Sequence, residues 1–86
     1  MANKDAQIRA AIELAFTTFQ KIDDAKYAEI KSKLEFVMGS YDYDKNPVGL
    51  YEIGKQALPV LKKAKEKYNR KVTKKLLTGL EKALQN

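Results

Sequence analysis

Lys67, Arg70, Lys71, Thr73, Lys74 and Lys75 are the side chains best placed for chemistry with another molecule. They close a stretch from Lys62 to Lys75 in which eight of fourteen residues are basic and only Glu66 is acidic. The stretch carries +7 and the whole chain +6, so everything outside it sums to −1. A positive field this local attracts an anionic partner. Lys62, Lys63, Lys65 and Lys67 lie off the apolar stripe Leu61–Ala64–Tyr68, so they also serve as the wet face of a helix, where cations near the C-terminus are favourable. Lys74 and Lys75 have no such explanation. They fall in the first turn of the next helix, where the dipole is already positive and local physics prefers acids. A helix N-terminus with free N–H groups, Thr73 and several cations suits an anion. The partner expected on these grounds is an acidic protein or a nucleic-acid backbone. Zinc-finger spacing, an RNP-like motif and a glycine-rich phosphate loop are all missing from the sequence. The last helix commits Leu76, Leu77, Leu80, Ala83 and Leu84 to packing, leaving few side chains to read bases. Charge then implies attraction to the backbone and no more.

Asp42-x-Asp44-x-Asn46 has the spacing of the first three oxygen ligands of a calcium-binding loop. The remainder departs from that loop. Its sharp-turn glycine position holds Pro47, its final bidentate-glutamate position holds Ile53, and Glu52 comes one residue early. These residues read instead as a solvated loop ending in a helix cap, and no metal is expected. The chain has neither cysteine nor histidine. That removes the common zinc, haem and iron–sulfur ligands and every triad built on those residues, so no cofactor is expected. Carboxylates, lysines and tyrosines remain for acid–base work, but no pair is marked out by spacing, and the chain reads as a non-enzyme. Tyr27, Tyr41, Tyr51 and Tyr68 fall at or near stripe positions, as core-edge residues with wet hydroxyls. Tyr43 stands in the loop, either packed back on the bundle or exposed as a contact residue.

The elements that position these groups are helices. Ile8, Ile12, Ala15, Phe16, Phe19 and Ile22 recur every three to four residues, with Asn3 or Asp5 as the cap. Asp23-Asp24 interrupts and offers a second cap. Tyr27, Ile30, Leu34, Val37, Met38 and Tyr41 form the next stripe, with Gly39 as its left-handed stop and Ser40–Pro47 as a loop. Asn46-Pro47 starts a third helix along Leu50, Ile53, Ala57, Leu61, Ala64 and Tyr68. Gly54 on that helix lets a neighbour come close. Pro59 clashes with the carbonyl of Lys55 and removes a hydrogen bond, predicting a kink or a break. Asn69 ends the helix, and Thr73 caps a fourth with Val72 beside it in the core. The spans are 4–22, 24–39, 47–68 and 73–85.

The expected fold is all-α: a small antiparallel helical bundle of about four helices, the third kinked or broken near Pro59, in a single domain 1–86. So short a chain hides only about 60–65% of its unfolded surface, so its stability is modest. The first helix is its least secure member. Ala11 and Leu14 lie off its main stripe, so it either buries two faces or docks on a neighbouring chain. That surplus supports an alternative, a homo-oligomeric structural protein whose lysines only keep it in solution. No stretch is apolar enough to cross a membrane. Charges at Arg9, Glu13 and Lys21 argue against a secretory signal, and Asp5, Glu13, Asp23 and Asp24 against a transit peptide, which places the chain in the cytoplasm by default.

Overall fold

The computed structural model describes residues 4–85, so Asn3 lies outside the described residues. Their order is α1 (Lys4–Ile22), a short 3-10 turn (Ala25–Tyr27), α2 (Ala28–Asp44), α3 (Val48–Lys67) and α4 (Lys74–Gln85). Among the described residues there is no strand, and the helices pack on each other as a small all-α bundle.

The first helix is the centre of the fold and not its weakest part. α1 packs against α2, α3 and α4, and α3 also packs against both α2 and α4. Its buried face is Ile8, Ala11, Ile12, Ala15, Thr18, Phe19 and Ile22. Ala11 and Ala15 leave room for neighbouring helices, and the second apolar face expected from the sequence is taken up inside the chain. Only Leu14 is left out, 57% exposed. Asp23 then takes a left-handed φ of 51° and its N–H donates to Phe19 O at 3.0 Å, closing the helix. Aspartate tolerates that conformation better than most residues.

Asp24 caps the short turn rather than α2 directly, accepting from Lys26 N at 3.0 Å. α2 therefore starts at Ala28, and it ends later than expected. Gly39 is no stop; it sits within α2, and the helix runs through most of the expected loop to Asp44. Lys45 supplies the left-handed stop instead, with φ 62° and its N–H on Tyr41 O at 2.7 Å. Two clamps keep this last turn helical. Arg9 from α1 grips Asp42 through Nε–Oδ1 at 3.0 Å and Nη2–Oδ2 at 2.9 Å. Lys45 Nζ stands 5.5 Å from the centre of the Tyr41 ring.

Asn46 starts α3 as expected, its Oδ1 accepting from Val48 N at 3.1 Å. Pro59 does not break α3, which continues from Val48 to Lys67. The proline is on the exposed side, as is Lys55, so the carbonyl that loses its donor is turned towards solvent and can be hydrated. Gly54 is buried, as expected. A Cβ there would lie 3.0 Å from Leu84 Cδ2, 3.4 Å from Ile12 Cδ1 and 3.5 Å from Ile8 Cδ1, so α1, α3 and α4 meet at this point. Leu34, Leu50, Ala57, Leu61, Ala64, Val72 and Leu80 are fully buried, and Leu76 nearly so. Phe16, Ile53, Leu77 and Leu84, expected inside, are half-buried and pack on the core's edge.

Candidate functional site

The turn between α3 and α4 is shaped by main-chain hydrogen bonds. Tyr68, not Asn69, ends α3, its N–H on Ala64 O at 2.8 Å. The carbonyl of Tyr68 then accepts from both Lys71 N and Val72 N at 2.9 Å. Val72 plugs into the core, fully buried. That pins the turn at its far end and leaves Asn69, Arg70 and Lys71 outside. Thr73 is the expected cap: its Oγ1 accepts from Leu76 N at 3.1 Å, starting α4. Lys74 and Lys75 therefore do occupy the first turn of α4, which holds no acid.

The basic stretch divides by what each cation touches. Lys62 pairs with Glu81 across α3 and α4 at 3.1 Å. Lys65 donates to Val72 O at 2.9 Å, satisfying the carbonyl of the buried plug. Lys67 lies 4.0 Å from Asp24 Oδ2 and 5.3 Å from the Tyr68 ring centre. Lys71 donates to Lys21 O at 3.1 Å, capping the C-terminal end of α1. Two of the six expected site residues, Lys67 and Lys71, thus have partners within the fold, and Thr73 starts a helix. Arg70, Lys74 and Lys75 are exposed and, like Lys63 further back on α3, have no acidic partner or side-chain hydrogen bond among the described residues. The candidate site contracts to these three.

Beside the turn lies a cluster that spacing did not reveal. Tyr68 donates its hydroxyl to Asp24 Oδ2 at 2.8 Å, joining residues 44 apart in sequence. Its ring meets Tyr27 edge-on, with centres 6.5 Å apart, and Tyr27 meets Phe19 at 5.2 Å. The backbone N–H of Lys26, then the Tyr68 hydroxyl, hold the Asp24 carboxylate below its ordinary range, with Lys67 adding to the effect. The same hydrogen bond to Asp24 raises the Tyr68 phenol. Asp24 was legible as a cap and Tyr68 as a core-edge residue; their meeting is a product of the chain's path.

The three oxygens with calcium-like spacing all serve helix ends. Asp42 takes the Arg9 fork, whose hydrogen bond holds the carboxylate below its ordinary range and the guanidinium above its own. Asp44 Oδ1 accepts from Asn46 N at 2.9 Å, and Asn46 caps α3. No group of three acids is drawn together as a metal site among the described residues.

A second surface stands apart from the basic turn. Four large apolar residues are well exposed: Leu14, Phe36, Tyr43 and Val48. Three of them lie on α2 or at the start of α3, so the surplus is not on the first helix, where the sequence placed it. Phe36 was detectable as an apolar residue off the second stripe. Tyr43 is 91% exposed, which leaves the second of its two expectations, an exposed residue.

No helix of the described residues is long and apolar enough to cross a membrane. Compared with known proteins, the chain matches no family model, no curated protein and no solved structure.

Proposed function

We propose that this chain is a cytoplasmic, non-enzymatic binding module that uses the α3–α4 turn against a polyanionic partner, an acidic protein surface or a nucleic-acid backbone. One observation carries the reading. Among the described residues, Arg70 in the turn and Lys74 and Lys75 in the first turn of α4 are clustered without an acidic partner, the last two where acids would be more stable; Lys63, the other unpaired cation of the stretch, stands further back on α3. Neighbouring lysines are committed to holding the turn, so the three are presented on a fixed frame. The last helix buries Leu76, Leu80 and Ala83, which supports contact through charge rather than base reading.

The test is reversal of Lys74 and Lys75 to Glu, with binding to heparin, duplex DNA and polyglutamate followed together with stability. The reading expects higher stability and weaker binding in the same variant. Heparin and DNA losses without polyglutamate binding identify the nucleic-acid class; polyglutamate loss identifies the acidic protein. A gain in stability with unchanged binding would leave the turn as a solvated face.

A second reading is supported by a different observation. Phe36 and Tyr43 are exposed together around one hollow on α2, which favours a homo-oligomeric structural protein.

A further inference from the structure

We propose that the chain forms a symmetric antiparallel dimer through the outer face of α2 and its seam with α3. The inference deepens the second reading above and is independent of the basic turn.

The face is complementary to itself. Phe36 is 74% exposed and projects from the middle of α2 as a knob. One turn further on, Gly39 and Ser40 leave a hollow beside it, bordered by Ser32 and Tyr43. A Cβ built on Gly39 meets nothing within 4 Å, so the hollow is open. Knob and hollow share one stripe of one helix. A two-fold axis between them seats each Phe36 over the partner's Gly39 and Ser40 in a single closed contact. The same antiparallel register sets each Tyr43 against the partner's Ser32 and Lys33, where the ammonium can meet the ring face. This gives the 91% exposed Tyr43 a place to be buried.

Charge selects the occupant. At one end of the α2–α3 seam stand Lys26 and Lys63, with Lys33 tied to Glu29 at 3.4 Å. At the other stand Asp44 and Glu52, with Glu35 beside Phe36 at the middle of α2. An antiparallel copy lays the basic end on the acidic end twice over. A parallel copy would set like charges together, and an acidic helix from another protein would meet Asp44 and Glu52 at that end. Electrostatic complementarity of this kind fixes register and excludes wrong partners. α2 is long enough for the contact: its 17 residues extend about 25 Å.

The experiment is sedimentation velocity with light scattering on the full chain, diluted from millimolar to micromolar. The expected mass is twice 9.8 kDa at the upper end, falling to one chain on dilution. Phe36→Asp removes the knob, and Gly39→Leu fills the hollow. Each is expected to raise the dissociation constant at least about tenfold, the size of one central contact. Gly39→Leu adds a better helix former into open space, so its helical circular dichroism is kept and loss of the dimer is not loss of the fold. Lys74→Glu with Lys75→Glu leaves the mass unchanged, which separates this surface from the basic turn. A single-chain mass at every concentration would overturn the proposal. So would a dimer indifferent to either Phe36→Asp or Gly39→Leu, or one broken by the Lys74 and Lys75 reversals.

Discussion

Gly54 is where the packing of the bundle can be tested with one atom at a time. An added Cβ would lie 3.4 and 3.5 Å from the Ile12 and Ile8 methyls, which is close but near ordinary contact, and 3.0 Å from Leu84 Cδ2, which is too close. Leu84 is half-buried in the last turn of α4, so its side chain can turn away. That rotation costs about 0.5–1.5 kcal/mol. Replacing a mid-helix glycine by alanine returns about 1 kcal/mol of helix propensity. The two nearly cancel, so Gly54→Ala melts within about 5 °C of the parent, given that 1 kcal/mol moves a domain of this size by about 4–8 °C. Gly54→Leu has no such escape, because its branched end must enter the space of Ile8, Ile12 and Leu84 together. Overpacking of that kind costs about 1–3 kcal/mol, and the propensity gain offsets only part of the upper range. The net expectation is a fall of several degrees, followed by thermal circular dichroism. Leu84→Ala is expected to rescue Gly54→Leu in part while destabilising the parent, a coupling that only a shared contact produces. Gly54→Leu melting at or above the parent, with no coupling to Leu84, would show that α1, α3 and α4 do not meet there.

Leu61→Ala, at a fully buried position, is expected to cost about 2–5 kcal/mol, and a parent-like denaturation midpoint would place Leu61 at the surface. Pro59→Ala restores a donor to the Lys55 carbonyl within a continuous helix, so chemical denaturation is expected to show a gain of up to about 3 kcal/mol; a loss would mean that the bundle depends on the proline's geometry. Asp24 and Asp42 both have folded pKa values below the ordinary 3.8, so their contributions are complete above that value and are lost as the pH falls through the lowered folded values. Asp42→Asn should therefore flatten the acid limb of the stability profile, and an unchanged limb would show that the Arg9 fork does not hold in solution.

Much of the fold follows from periodicity alone. The stripes of α1, α3 and α4 and the Asn46 and Thr73 caps were legible because each depends on residues within a turn or two; Gly54 marked a close approach by residue type alone, without giving Leu84, Ile12 and Ile8 as the neighbours. What escaped depends on contacts distant in sequence. Gly39 has the right type for a helix stop, yet the Arg9–Asp42 fork and the Lys45 turn carry α2 past it. α1 looked peripheral because Ala11 lies off the stripe, and only the position of α4 shows what Ala11 packs against. The basic stretch gave the location of the candidate site but not its membership. Lys67 and Lys71 could be separated from Arg70, Lys74 and Lys75 only once Asp24 and the end of α1 were in place.

The salt dependence of binding tests the central claim most directly. If Arg70, Lys74 and Lys75 each neutralise one phosphate of duplex DNA, the slope of log K against log salt is about −2.7, at roughly −0.9 per contact. Lys74→Glu with Lys75→Glu is expected to weaken binding and bring the slope to about −0.9 or shallower, while Lys31→Glu, on another face, leaves it unchanged. The same slope in the parent and the double variant would contradict the account.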